Sequence, residues 1–159
     1  MANEPETTLQ TIVAEILNRM GFVATVQVTS NEATPTSLYC SIKVEEGQNL
    51  LIGQYGVNLA ALQHVVRVLA RRQTGETMEI AVDINDYFAE KRALLEKEAE
   101  KAMGEALQNN ISVALRPMLP YERKIIHAFL ATKPSVTTES VGQGEARKVM
   151  IRPHPKSEE

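Results

Sequence analysis

The sequence predicts an α+β chain made of two small units in succession. Three observations carry this. Apolar residues alternate in short runs, Phe22 to Thr29, Leu38 to Val44 and Met78 to Ile84, the pattern of half-buried strands. Other runs place apolar residues every three or four positions, the period of a helix packed along one side. Charge also shifts along the chain. From Asp83 to Glu105, seven acidic residues (Asp83, Asp86, Glu90, Glu96, Glu98, Glu100, Glu105) face four basic ones (Lys91, Arg92, Lys97, Lys101). From Val113 to Lys156, eight basic residues (Arg116, Arg123, Lys124, Lys133, Arg147, Lys148, Arg152, Lys156) face three acidic ones (Glu122, Glu139, Glu145). A chain of 159 residues has room for one ordinary domain or two small ones.

The first unit is expected over residues 7–84. Leu9, Ile12, Val13, Ile16, Leu17 and Met20 make a helix over 7–20, capped by Thr7 or Thr8 and stopped by Gly21. Phe22 to Thr29 and Leu38 to Val44 are strands. The loop between them, Ser30 to Thr36, is short enough for an antiparallel hairpin. Gln48 to Ile52 makes about one helical turn. A helix from Val57 to about Gln73 follows, with Leu59, Leu62, Val66 and Leu69 as core stripe and His64, Arg67 and Arg71 on the wet face. Met78 to Ile84 closes the unit as a strand.

The second unit is expected over residues 85–153. Asn85 or Asp86 caps a long helix ending near Asn109, with Phe88, Leu95, Ala99, Ala102 and Ala106 on its apolar side. Ser112 to Leu115 is a strand, and Arg116 to Pro120 is held extended by two prolines. Tyr121 to Ala131 is a helix. Val136 to Ser140 and Lys148 to Arg152 are strands joined by the turn Gly142-Gln143-Gly144-Glu145. Residues 154–159 read as a tail.

Composition narrows the function. Hydrophobic residues make up 43% and aromatic residues 4%, with no Trp, so the core is aliphatic. Cys40 is the only cysteine; it falls inside a strand and reads as a small buried apolar residue. A single cysteine permits no internal disulfide, which suits a reducing compartment. The acidic start, Met1 to Glu6, has no apolar segment behind it, and no stretch approaches a membrane span, so a cytoplasmic location without membrane insertion is expected. His64, His127, His154 and Cys40 are the candidate metal ligands, and none forms a close pair of the kind zinc sites use. No phosphate-binding Walker loop, dinucleotide fingerprint or nucleophilic triad is found, so neither a cofactor nor catalysis is expected.

Two motifs remain. Gly53-Gln54-Tyr55-Gly56 lies between the short helical turn and the long helix from Val57. Glycine lets another backbone approach closely, and a helix start offers N–H groups to an anion, so a phosphodiester backbone can lie there. The turn carries no positive charge between its glycines; Tyr55 can stack on a base or ribose and Gln54 can donate a neutral hydrogen bond. The other motif is Arg123-Lys124-Ile125-Ile126-His127. Arg and His four apart on a helix point the same way, the Arg fork suits phosphate, and Lys124 adds charge beside them. Arg67, Arg71, Arg147, Lys148 and Arg152 are supporting candidates.

The order α-β-β-α-α-β of the first unit, with Gly53 to Gly56 at the place of a GxxG loop, resembles a type II KH domain. Pro120 to His127, with Leu115-Arg116-Pro117-Met118 before it and Val136-Thr137-Thr138-Glu139-Ser140 after it, resembles the R-three-H domain, here with a small three-stranded sheet. KH followed by R-three-H resembles the bacterial Jag (KhpB) family. The resemblance runs from about residue 7 to 153 and includes no counterpart of the N-terminal domain that many members carry. It implies a cytoplasmic protein that binds single-stranded RNA, or single-stranded DNA, through Gly53, Gln54, Tyr55 and Gly56 and through Arg123, Lys124 and His127, with a role in cell-envelope growth or division. A KH-domain partner or self-association belongs to the same expectation. The alternative is a protein-interaction adaptor in cell-envelope regulation, docking partners through the apolar side of the helix from Asp86 to Asn109.

Overall fold

The computed structural model describes residues 4–31 and 34–154. It contains two units, with the boundary in the chain between Tyr87 and Phe88. Both are α+β, and each contains a three-stranded sheet.

In the first unit the order is α1 (Glu4–Arg19), β1 (Ala24–Asn31), β2 (Thr34–Val44), α2 (Gln48–Ile52), α3 (Val57–Thr74) and β3 (Glu79–Ile84). The α1 stripe buries Leu9, Ile12, Val13 and Leu17. The helix ends where Gly21 takes φ +84°, and the Phe22 N–H donates back to the Leu17 carbonyl, the left-handed stop that only glycine adopts freely. β1 and β2 pair antiparallel, as their short connection requires. They run further than the alternation alone suggested: Asn31 pairs with Thr34 across an irregularity, leaving only residues 32–33 of the expected loop, outside the described residues. β3 pairs parallel with β2, Leu38 opposite Ile80 and Cys40 opposite Val82, after the crossover through α2 and α3. Leu38, Cys40 and Ile42 on β2 and Ile80, Val82 and Ile84 on β3 share one buried cluster with α1 and α3. Cys40 is fully enclosed, and burial pushes its thiol up to about 12, so it is an inert core residue.

One helix stripe differs from expectation. α3 buries Leu59, Leu62, Val66 and Ala70, while Leu69 is 37% exposed. At 3.6 residues per turn the row continues from 66 to 70, so position outranks hydrophobicity. Val65, Val68 and Leu69 stand on the exposed side.

The second unit comprises α4 (Tyr87–Asn109), whose first residue packs on the core of the first unit, then β4 (Val113–Pro117), α5 (Pro120–Ala131), β5 (Val136–Val141) and β6 (Lys148–Pro153). Its sheet has the order β4-β6-β5 and is antiparallel throughout. Leu95, Ala99, Ala102 and Ala106 of α4 pack with Leu115, Ile126, Leu130, Val149 and Ile151. Phe88, expected on that side, is 46% exposed. β4 takes in Arg116 and Pro117, which were expected outside the strand; it is an edge strand, where proline is tolerated. Asn85 does not act as a simple helix cap. Its side chain accepts from the Val44 N–H and donates to the Val44 carbonyl and to Gln48, and Asp86 pairs with Lys43. These bonds tie the end of β3 to the end of β2. The expected tail lies, beyond His154, outside the described residues.

Candidate nucleic-acid interface

The turn between α2 and α3 is built from left-handed residues. Gly53 has φ +71°, Tyr55 +55° and Gly56 +80°. A Cβ on Gly53 would meet the Asn58 side chain at 2.6 Å and its backbone nitrogen at 2.9 Å; one on Gly56 would meet the Tyr87 ring at 3.3 Å. The turn itself therefore demands both glycines. Asn58 locks it by donating from its side-chain amide to the Leu50 carbonyl at 2.7 Å. The Gly56 N–H bonds Gly53 and the Val57 N–H bonds Gln54, so two of the N–H groups near the start of α3 are used within the turn. The turn presents exposed side chains at Gln54 and Tyr55, the latter 55% exposed.

Further along α3, Arg67 lies over the edge of the sheet. Its Nε and Nη2 both donate to the Ile80 carbonyl, at 2.9 and 2.7 Å. One turn earlier, Gln63 Oε1 accepts the Val82 N–H at 2.9 Å. Residues 80 and 82 point the same way along β3, so α3 satisfies the outer edge of that strand with two side chains. Arg71 is exposed on the same helix.

In the second unit the α5 start is organised by a buried carboxylate. Glu122 has no exposed surface; it accepts the Leu119 N–H at 2.8 Å and pairs with Lys91 at 2.9 Å and Arg116 at 3.4 Å. Burial pushes its carboxyl up, and the bonds from Lys91 and Leu119 with the Arg116 charge outweigh this, leaving it below the usual 4.5. On the next position Arg123 is only 8% exposed, and its Nη1 donates to the Met118 carbonyl at 2.7 Å. The Met118 N–H in turn donates to the Arg147 carbonyl. Met118 thus links α5 to the residue that precedes β6 through both of its backbone polar groups.

His127, one turn after Arg123, is half-buried against β5. Its Nδ1 lies 2.7 Å from Thr138 Oγ1 and its Nε2 lies 2.8 Å from Ser140 Oγ. Burial, then the nearby charges of Arg123 and Arg147, hold the imidazole below the ordinary histidine range. The ring is therefore neutral at pH 7. The structure brings together Arg123, His127, Arg147, Thr138 and Ser140. Lys124 is exposed on α5, Lys148 starts β6, and Arg152 pairs with Glu139 at 3.1 Å. The two hydroxyls were not singled out from the sequence. Their signal was the strand alternation, which puts Thr138 and Ser140 on the same face.

The described residues contain no helix long and apolar enough to cross a membrane. The R-three-H domain model matches residues 93–153, the second unit. Relatives named "RNA-binding protein KhpB" match more of the chain. The one from Lactiplantibacillus plantarum is 36% identical over 104 residues, 65% of this chain and 32% of its own length. That from Clostridium symbiosum is 29% identical over 137 residues, 86% of this chain and 61% of its own. That from Bacillus subtilis is 34% identical over 104 residues, 64% of this chain and 50% of its own. The chain thus spans about a third to three fifths of these relatives. The solved structure of Aquifex aeolicus Era matches 53% of this chain and 32% of its own at 18% identity, with a TM-score of 0.41.

Proposed function

We propose that this chain is a member of the Jag/KhpB family and binds single-stranded RNA through two sites, one in each unit. The observation that carries the reading is the uncompensated positive charge around His127. Arg116, Lys91 and Arg152 all pair with carboxylates. Among the described residues Arg123 and Arg147 have no carboxylate within ion-pair distance, and both act on the imidazole. A cationic spot without its own anion is suited to a phosphate backbone. In this reading Arg123 and Lys124 form the contact of the second unit, with His127 set between them and the β5 hydroxyls, extended by Arg147, Lys148 and Arg152. The turn Gly53-Gln54-Tyr55-Gly56 is the KH loop of residues 7–84, offering Tyr55 for stacking and Gln54 for a hydrogen bond, and residues 85–153 form the second domain. No reacting group is called for, and the relatives are named as binding proteins. To the same proposal belongs a cytoplasmic role in cell-envelope growth or division, carried by the resemblance to the Jag/KhpB family.

Arg123 is also structural, so the test uses exposed residues. In the double variant Lys124→Ala/Arg147→Ala, single-stranded RNA affinity falls and the slope of log K against log salt becomes shallower by about 0.7 for each lost phosphate contact. Titration at several salt concentrations measures this. An unchanged slope overturns the assignment.

A further inference from the structure

We propose that Thr138 and Ser140, held by His127, read the ribose 2′-hydroxyl and an adjoining phosphate oxygen, so that this cluster discriminates RNA from DNA, with His127 as a positioning residue. This rests on the reading of the second unit as a nucleic-acid surface.

A neutral imidazole has one N–H and one lone pair. His127 has a hydroxyl on each nitrogen, at 2.7 and 2.8 Å. One hydroxyl must accept the ring N–H and the other must donate to the ring lone pair. The accepting hydroxyl keeps its own proton free to donate. The donating hydroxyl keeps a lone pair free to accept. The pair therefore presents one donor and one acceptor, two residues apart on β5 and so about 7 Å apart along the strand. A phosphate oxygen takes the donor. A ribose 2′-hydroxyl, which deoxyribose lacks, gives its proton to the acceptor.

The surroundings suit this ligand. Arg123 and Arg147 supply positive charge with no carboxylate partner among the described residues. The nearest acidic side chain in sequence, Glu139, alternates to the other face of β5 and pairs with Arg152. The lowered basicity of His127 keeps the one-donor, one-acceptor arrangement at neutral pH.

The experiment compares RNA and DNA oligonucleotides of the same sequence on the full chain. Wild type is expected to prefer RNA. Thr138→Val and Ser140→Ala each lower RNA affinity roughly tenfold, and the variant that removes the acceptor also collapses the RNA-to-DNA ratio. The hydroxyl-preserving Thr138→Ser and Ser140→Thr retain both. A purely structural role would weaken both nucleic acids alike and leave the ratio unchanged, which overturns the proposal. If wild type binds neither strand, the RNA-binding reading falls, and this proposal with it.

Discussion

Tyr55 stands exposed in the turn between α2 and α3. At φ +55° it occupies the left-handed region, at a cost of about 1 kcal/mol for a residue with a Cβ. Asparagine tolerates that region better. The glycines beside it are required by backbone geometry, and the tyrosine side chain is 55% exposed. Tyr55→Asn should therefore raise the melting temperature of the protein slightly and weaken RNA binding, by about 1–3 kcal/mol if a base stacks there. Thermal melting and an RNA titration on the same sample check both signs. Tighter or unchanged binding would remove Tyr55 from the site. The neighbouring chemistry was readable from the residues alone: Gln54 and Tyr55 leave the turn uncharged, and Arg123 and His127 lie on one helix face. The burial of Arg123 was not readable, because its partner, the Met118 carbonyl, belongs to a loop whose path the sequence does not specify.

The edge of β3 is governed by α3. Gln63 and Arg67 are four apart on the helix, and Ile80 and Val82 are two apart on the strand, which are nearly equal lengths of about 6–7 Å. The match lets two side chains occupy consecutive outward backbone groups of an edge strand. Gln63→Ala/Arg67→Ala should open that edge. Faster amide exchange at Val82 and a greater tendency to self-associate are expected, with each lost bond costing about 1 kcal/mol. Because the Arg67 guanidinium is committed to Ile80, the same variant should leave the salt slope of RNA binding unchanged. A shallower slope would return Arg67 to the phosphate contacts. At this scale the periodicities identified the elements well, since alternation and the 3.6 period reflect burial directly. They failed where tertiary pairing decides: Ala70 replaces Leu69 in the core row, Asn85 ties β3 to β2 as well as preceding α4, and the parallel register of β3 depends on the crossover.

The whole molecule carries a net charge of −3, so its long-range field does not draw RNA in, and affinity has to arise from local contacts. Each candidate site is small: one exposed tyrosine and a neutral glutamine in the first unit, a few cations and two hydroxyls in the second. Neither resembles a strong binder alone. Two weak sites on one chain gain affinity when a single strand reaches both, because the second contact becomes intramolecular. Affinity should then rise with strand length and reach a plateau over a series of about 5 to 25 nucleotides, once the strand spans both units. Lys124→Ala/Arg147→Ala should abolish most of that length dependence, and so should Tyr55→Asn, since either leaves one working site. Both variants should then bind long strands about as weakly as wild type binds short ones. Parallel curves that keep the wild-type dependence on length would mean that the units bind separate strands.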